Sequence, residues 1–473
     1  MTDLRQASAD ALRALCAWVA ATQVGDIPDK VLARGAQVLA DDLAVIIGAR
    51  DEPQVGRFHQ QVLARTAASE ATVFRGGQAR TDRFSAAVAN GVAADWLELD
   101  EGYRLTSCHA GLYVVPAMLA EAEACNLPLR DMLRAIVLGY EVATRLARAW
   151  TDPKGAQHSH ARYSAPGAAA AVGAARELPA GDLLNALSNA VTLVNAGPRK
   201  HLVDGALVRN VWPAVGAWSG MMSVEWALCG IAGIPESAYD AYTGILGYGA
   251  DPDILTQSLG ESWAVLDGYT KLYACCQHLH STVEAGLGLR PQMLAAGGLD
   301  RIAAVRVETH ALAMPLVNAH PDTVLAGKFS LPHAVATALV GGSAGADAFA
   351  TARLREPQIA ALREKVTLST YAPQRPPPYD RPARITISFT DGRTLSGECL
   401  SAQGGPDRPF DKSVLTDKIR ELTEPVYPDA PAVLRSVMLL ESRRKSQGWA
   451  EIVGELCGTG PTQAAANKEG VPR

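Results

Sequence analysis

The sequence predicts a mainly α fold, with a large helical domain, a smaller α+β domain inserted late, and helices that return after it. Three observations predict this. Apolar residues recur at the helical period through the first two-thirds of the chain, strand-like alternation begins only after about residue 296, and helical spacing resumes from about Pro409. At 473 residues the chain is also too long for one compact core, so two or three domains are expected. The expected divisions are 1–268 for the first helical part, 269–406 for the α+β domain, 407–458 for the returning helices and 459–473 for a flexible tail.

From Asp29 to Gly48, the residues Val31, Leu32, Val38, Leu39, Leu43, Val45 and Ile46 form an apolar stripe. Pro128 opens another helix, in which Leu129, Leu133, Ile136 and Tyr140 share a face. Ala165 to Ala175 is almost entirely Ala and Gly, and Asp182 to Val194 again shows helical spacing. The stretch Asn210 to Cys229 is broadly apolar, which predicts a helix buried on most sides. Alternation then marks strands at Ile302–Thr309 and Arg384–Thr390, and the second runs into Asp391-Gly392 and Arg393-Thr394-Leu395. An Asp-Gly pair between alternating runs predicts a hairpin, because its turn needs positive φ. Pro373 to Pro378 reads as a stiff connection. Helices follow at Leu415–Leu422 and Ala432–Leu440.

Composition narrows the function classes. The chain is 48% hydrophobic, 20% charged and 6% aromatic, an ordinary globular balance with a core of small side chains. A net charge of −5 gives no reason to expect nucleic acid or an anionic membrane as partner, so an anionic substrate would need a local basic cluster. No apolar run reaches the roughly 18–20 residues of a membrane span. The start, Met1-Thr-Asp-Leu-Arg-Gln, lacks a charged leader with an apolar stretch. The eight scattered cysteines form no C-x-x-C pair and are expected reduced. A cytoplasmic protein is expected. With no dinucleotide or P-loop glycine motif, no nucleotide cofactor is implied.

Four polar patches are candidates for chemistry. In Glu98-Leu-Asp100-Glu101-Gly-Tyr103 followed by His109, carboxylates could orient a titratable imidazole, although a solvated turn between helices has the same composition. His158 and His160 precede the Ala/Gly helix; without a third ligand motif they suit acid–base or anion-binding work better than zinc. Arg199-Lys200-His201, with Arg209, forms either a carboxylate clamp or a charged surface loop. Lys271 to His280 carries Cys275 and Cys276, which lack a nucleophile signature and read as packing residues.

The order of these patches resembles the MmgE/PrpD family. Glu98-Leu-Asp-Glu-Gly with His109 is similar to the family's early signature, as are Val114-Val-Pro-Ala117 and Ala120-Glu-Ala-Glu123. Later landmarks are Ala135-Ile-Val-Leu-Gly-Tyr-Glu-Val142 with Arg145, His158-x-His160, Lys271-x-Tyr273-x-Cys275-Cys276 through His280, Lys328-Phe-Ser-Leu-Pro332, and the Asp391-Gly392 hairpin. The likeness covers essentially the whole chain. It implies an all-helical domain with a smaller α+β lid, a homodimer, and metal-free, cofactor-free chemistry on small polycarboxylates. The family's activities include 2-methylcitrate dehydration, cis-aconitate decarboxylation and iminodisuccinate epimerisation. All require stabilising charge beside a carboxylate while a proton moves.

The resemblance implies catalytic roles for His109, His158, Asp100 and Lys271, and substrate contacts from Lys200, Arg209, Glu98, His160, His280 and Tyr103. Some positions depart from the pattern. Glu98 replaces an aspartate, Gly102 stands where decarboxylase-like members carry a hydroxyl residue, Cys276 stands at a histidine position, and Val317 at a lid tyrosine. Those departures count against a direct assignment as cis-aconitate decarboxylase or 2-methylcitrate dehydratase. The expected order is a hydro-lyase first, an epimerase of a substituted succinate second and, because of the departures, a cis-aconitate-type decarboxylase third. A non-catalytic carboxylate-binding protein would predict binding without turnover, and the joint retention of His109, His158, Lys200 and Lys271 argues against it.

Overall fold

The computed structural model describes residues 2–65, 67–194 and 196–458. The tail expected over 459–473 lies outside the described residues. The fold is mainly α. Among the longer helices are Thr2–Ala21, Asp29–Gly48, Arg83–Ala94, Ala110–Cys125, Leu129–Ala149, Ser159–Ala175, Ala180–Thr192 and Trp212–Leu228. The stripe read from Asp29 to Gly48 forms a helix over those same residues. Pro128 stands just before Leu129–Ala149, where its fixed φ suits a helix start and its missing N–H costs nothing.

Ser159–Ala175 is the central packing element, lying against Trp212–Leu228, Leu129–Ala149, Ala110–Cys125 and Ala180–Thr192. Its small side chains let the backbones come close. A Cβ on Gly220 would lie 2.5 Å from the Ala165 carbonyl oxygen, so even alanine there would force the helices apart. The low aromatic content follows from this contact geometry.

The strand-like alternation resolves into a four-stranded sheet, ordered Thr394–Cys399, Ala383–Phe389, Ile302–Thr309, Val366–Thr370. The first two are antiparallel and joined through Asp391-Gly392, with Gly392 at φ +87° as the hairpin requires. The last two pair in parallel. Ile385, Ile387, Val305 and Val307 are buried, and helix His280–Ala295 packs on the strands Ala383–Phe389 and Thr394–Cys399. Proline-rich 373–378 adopts no regular element.

The returning helices Lys412–Thr423 and Ala430–Met438 then pack on Asp29–Gly48. Lys418 on the first of them pairs with Asp41 at 2.7 Å and donates to the Leu99 carbonyl at 3.0 Å, bracing the loop that carries the polar patch. A two-residue antiparallel bridge, Gly102 with Tyr269 and Tyr103 with Gly268, ties that loop to the Lys271 segment. Among the described residues, no helix is long and apolar enough to cross a membrane. The eight cysteines are unpaired.

Candidate active site

A cleft of about 1240 Å3 opens over the 98–109 loop. Its lining draws Glu98, His109 and His158 from the helical body, and Lys271, His278 and Arg381 from later in the chain. Helix starts position both leading histidines. His109 is the residue before helix Ala110–Cys125, and His158 caps Ser159–Ala175 by accepting the His160 backbone N–H on Nδ1 at 3.3 Å.

The hydrogen bonds give these two rings opposite tautomers. His109 Nδ1 lies 2.6 Å from Asp100 Oδ2 and 2.9 Å from the Glu101 carbonyl oxygen, both pure acceptors, so Nδ1 carries a proton and donates. In the neutral ring Nε2 is then a bare lone pair. His158 accepts on Nδ1, so its proton sits on Nε2. Burial first, then His160 and Arg209 nearby, hold the His158 ring well below its usual range, keeping it neutral. His160 lies between them, with ring centroids 4.2 Å from His158 and 5.0 Å from His109. Its Nδ1 meets the Tyr113 hydroxyl at 3.0 Å, and its Nε2 lies 3.4 Å from Asp95.

Beneath the histidines lies a buried layer of charge. Asp95, Glu98 and Asp100 place carboxylate oxygens within 4.8 Å of one another. That spacing would suit a divalent cation, but two side-chain cations already occupy it. Arg209 pairs with both Asp95 and Glu98. Lys271 Nζ lies 3.3 Å from Glu98, 3.3 Å from Asp100 and 3.2 Å from the Glu98 carbonyl oxygen. Burial opposes ionisation of Asp100, but Lys271 and His109 outweigh it and hold the carboxyl far below its usual range. Burial likewise opposes the Lys271 ammonium, and Asp100 and Glu98 more than offset it, so Lys271 stays charged. Asp95 is pushed up to about 6 by burial despite Arg209. Glu98 itself sits at φ +55°, a left-handed conformation costing on the order of 1–3 kcal/mol, which these ionic contacts hold in place.

The remaining residues singled out in the sequence are placed unevenly. Tyr103 is buried and lines the cleft, and burial pushes its phenol up to about 12. Lys200 lies at the rim, 77% exposed, with Nζ 2.6 Å from Asp204. Arg209 lines the cleft, but its charge is committed to Asp95 and Glu98. His280 does not line this cleft. It opens helix His280–Ala295 with Nε2 3.2 Å from the Cys275 carbonyl oxygen, and burial lowers it to about 3. Cys276 does line the cleft, with its thiol pushed up to about 11 by burial.

Sequence reasoning did not single out Asp95, Tyr269 or Arg381. Asp95 had a signal, a lone acid after Ala93-Ala94 in an apolar run, where burial demands a partner. Tyr269 and Arg381 had none, because short contacts far along the chain bring them in.

The MmgE/PrpD N-terminal domain matches residues 13–252, and the MmgE/PrpD C-terminal domain matches residues 273–441. The cis-aconitate decarboxylase-like protein oryM of Aspergillus oryzae is 27% identical, covering 93% of this chain and 97% of its own length. The cis-aconitate decarboxylase of Aspergillus terreus is 25% identical, covering 86% of this chain and 88% of its own length. The chain belongs to the MmgE/PrpD family.

Proposed function

We propose that this MmgE/PrpD protein is a lyase acting on a small di- or tricarboxylic acid, by moving a proton at the carbon next to a carboxylate. Dehydration is the first reading. The observation that carries it is the pair of opposite tautomers over one cleft: a bare His109 Nε2 beside a His158 Nε2–H.

In this reading His109 Nε2 takes the α proton. The imidazolium that forms is stabilised by Asp100, which stays anionic because Lys271 holds it. The electron pair left on carbon delocalises into the neighbouring carboxylate. His158, neutral and carrying hydrogen on Nε2, donates a hydrogen bond to the charge that develops there. The protonated His109 returns its proton to the departing hydroxyl, and water and an alkene leave. Lys271 and Arg209 supply the charge neutralisation beneath the site without a metal ion, with Glu98 and His160 in the same layer. Lys200 at the rim meets an incoming carboxylate, and Tyr103 closes one side. Residues 269–406 serve as a lid over 1–268 and 407–458, and the working unit is a homodimer in the cytoplasm.

The names of the two relatives favour decarboxylation of a cis-aconitate-like acid as the second reading. There His109 would start as the imidazolium, paired with Asp100, and deliver its Nε2 proton to the carbon that loses CO2, ending as the neutral ring. Against this stand Gly102, Cys276 and Val317, which depart from the decarboxylase-like pattern.

Proton NMR in D2O separates these readings on a panel of 2-methylcitrate, citrate, cis-aconitate, iminodisuccinate and substituted succinates. New olefinic signals from a hydroxy acid are expected. Loss of CO2 from cis-aconitate would move the reading to the second. Deuterium uptake without a new skeleton would make the protein an epimerase, and inertness across the panel would remove the substrate class.

A further inference from the structure

Several guanidinium groups line the cleft, and most are spent on protein partners. Arg209 is held by Asp95 and Glu98, and Arg104 by Asp380. Arg162 also has Nε and Nη1 buried without hydrogen-bond partners, but it lies over the Tyr163 and Tyr248 rings, and these with Asp152 favour its charge. Arg381 is different. Its Nη1 donates to the Gln277 amide oxygen and its Nη2 to the Arg104 carbonyl oxygen at 3.4 Å, both uncharged acceptors. Its Nε is buried without a hydrogen-bond partner. The carboxylate nearest to it, Asp380, stands 3.9 Å away and is committed to Arg104. The side chain is only 13% exposed. Burial, with Arg104 as a like charge beside it, disfavours the charged form. A desolvated cation with spare N–H donors and no anion of its own is costly, and a ligand carboxylate would remove that cost.

Tyr269 faces the same cleft and adds a second donor. Its ring stands edge-on to His109 with centroids 6.3 Å apart, and its hydroxyl makes no hydrogen bond to another described residue. Burial raises its pKa, so the phenol keeps its proton. The ring can sit there because residue 102 is glycine: any Cβ at that position would collide with the Tyr269 hydroxyl. The absent side chain at 102 and the phenol that fills its place are one feature.

Resting on the polycarboxylate reading above, we propose that Arg381 anchors one substrate carboxylate, with the Tyr269 hydroxyl as a second donor to the substrate on that wall. The site then reads charge from the late part of the chain while His109 moves the proton and His158 stabilises the developing charge. Arg381 and Tyr269 are substrate-contacting specificity residues.

The probe is tricarballylate, a saturated tricarboxylate with no leaving group, titrated calorimetrically alongside its mono-amides. Wild-type protein is expected to bind tricarballylate more tightly than at least one mono-amide. Arg381→Gln should weaken tricarballylate about ten- to hundred-fold and collapse that preference, Arg381→Lys should fall between, and Tyr269→Phe should cost about three- to ten-fold. A merely structural Arg381 would weaken acid and amides equally, and that result overturns the inference. So does an unchanged affinity in a variant whose melting temperature matches wild type. If wild-type protein binds no tricarballylate at millimolar concentration, the polycarboxylate reading itself fails, and the subsite with it.

Discussion

On the cleft side of the 98–103 loop, Asp100 faces Lys271 and the His109 ring. On its core side, the next residue, Glu101, faces the Gly111 amide at 2.6 Å, the Tyr140 hydroxyl at 3.0 Å and the buried Asp42. Both carboxyls are fully buried, yet their protonation runs in opposite directions. Cations drive Asp100 far down, whereas burial outweighs the Gly111 amide, His109, Arg34 and the Tyr140 hydroxyl and pushes Glu101 up to about 7. Burial alone therefore does not mark a catalytic carboxylate. The ammonium 3.3 Å from Asp100 makes it a permanent anion able to stabilise an imidazolium, and Glu101 has no such neighbour.

The largest expected effect tests the cleft side. Asp100→Asn removes the anion and lets His109 adopt the other tautomer, so kcat should fall by about 10³–10⁴-fold while the fold survives. A loss under ten-fold would place Asp100 outside the proton chemistry. Next, Lys271→Met leaves Glu98 and Asp100 buried without their ammonium. Urea denaturation should show a loss of about 3–5 kcal/mol, and near-neutrality would mean that Arg209 and His109 suffice to hold the layer.

The smallest effect belongs to the core side. A carboxyl whose folded pKa is raised stabilises most below its unfolded value and loses that contribution as pH rises through the folded one. For Glu101 that window runs from about 4.5 to about 7. Glu101→Gln should flatten stability against pH across it, with kcat within a few-fold of wild type. An unchanged slope would assign the dependence to Asp42, whose carboxyl burial and Glu101 also raise. Asp100 has the opposite sign, because its stabilisation is lost as pH falls.

The helices and the hairpin were legible in the sequence because each is set by a local period: Asp29–Gly48 by its apolar stripe, Ala383–Cys399 by alternation around Asp391-Gly392. The parallel strand Val366–Thr370 was not, since Val-Thr-Leu-Ser-Thr sits on a sheet edge with little buried and its partner lies some sixty residues earlier. The first-half site followed the same rule. Glu98, Asp100 and His109 cluster within one loop, and their types announce their chemistry. His280 shares a dense motif with Lys271, but a helix start turns its ring to the Cys275 carbonyl, away from the cleft. Lys200 announced a charge and not its exposure. Tyr269 and Arg381 are single residues in unremarkable stretches, made informative only by a short bridge and two hydrogen bonds to distant segments.

The pairing of Gly102 with Tyr269 also bears on how such a protein diversifies. It is a seam where the first half of the chain, holding the proposed proton-moving His109, meets the second half, holding the proposed reader of the substrate. Enlarging residue 102 and shrinking residue 269 must happen together, since either change alone leaves a collision or a void. Drift at this seam is therefore a paired event, and on the proposed reading one such pair would redirect which acid is accepted while leaving Asp100 and His109 unchanged.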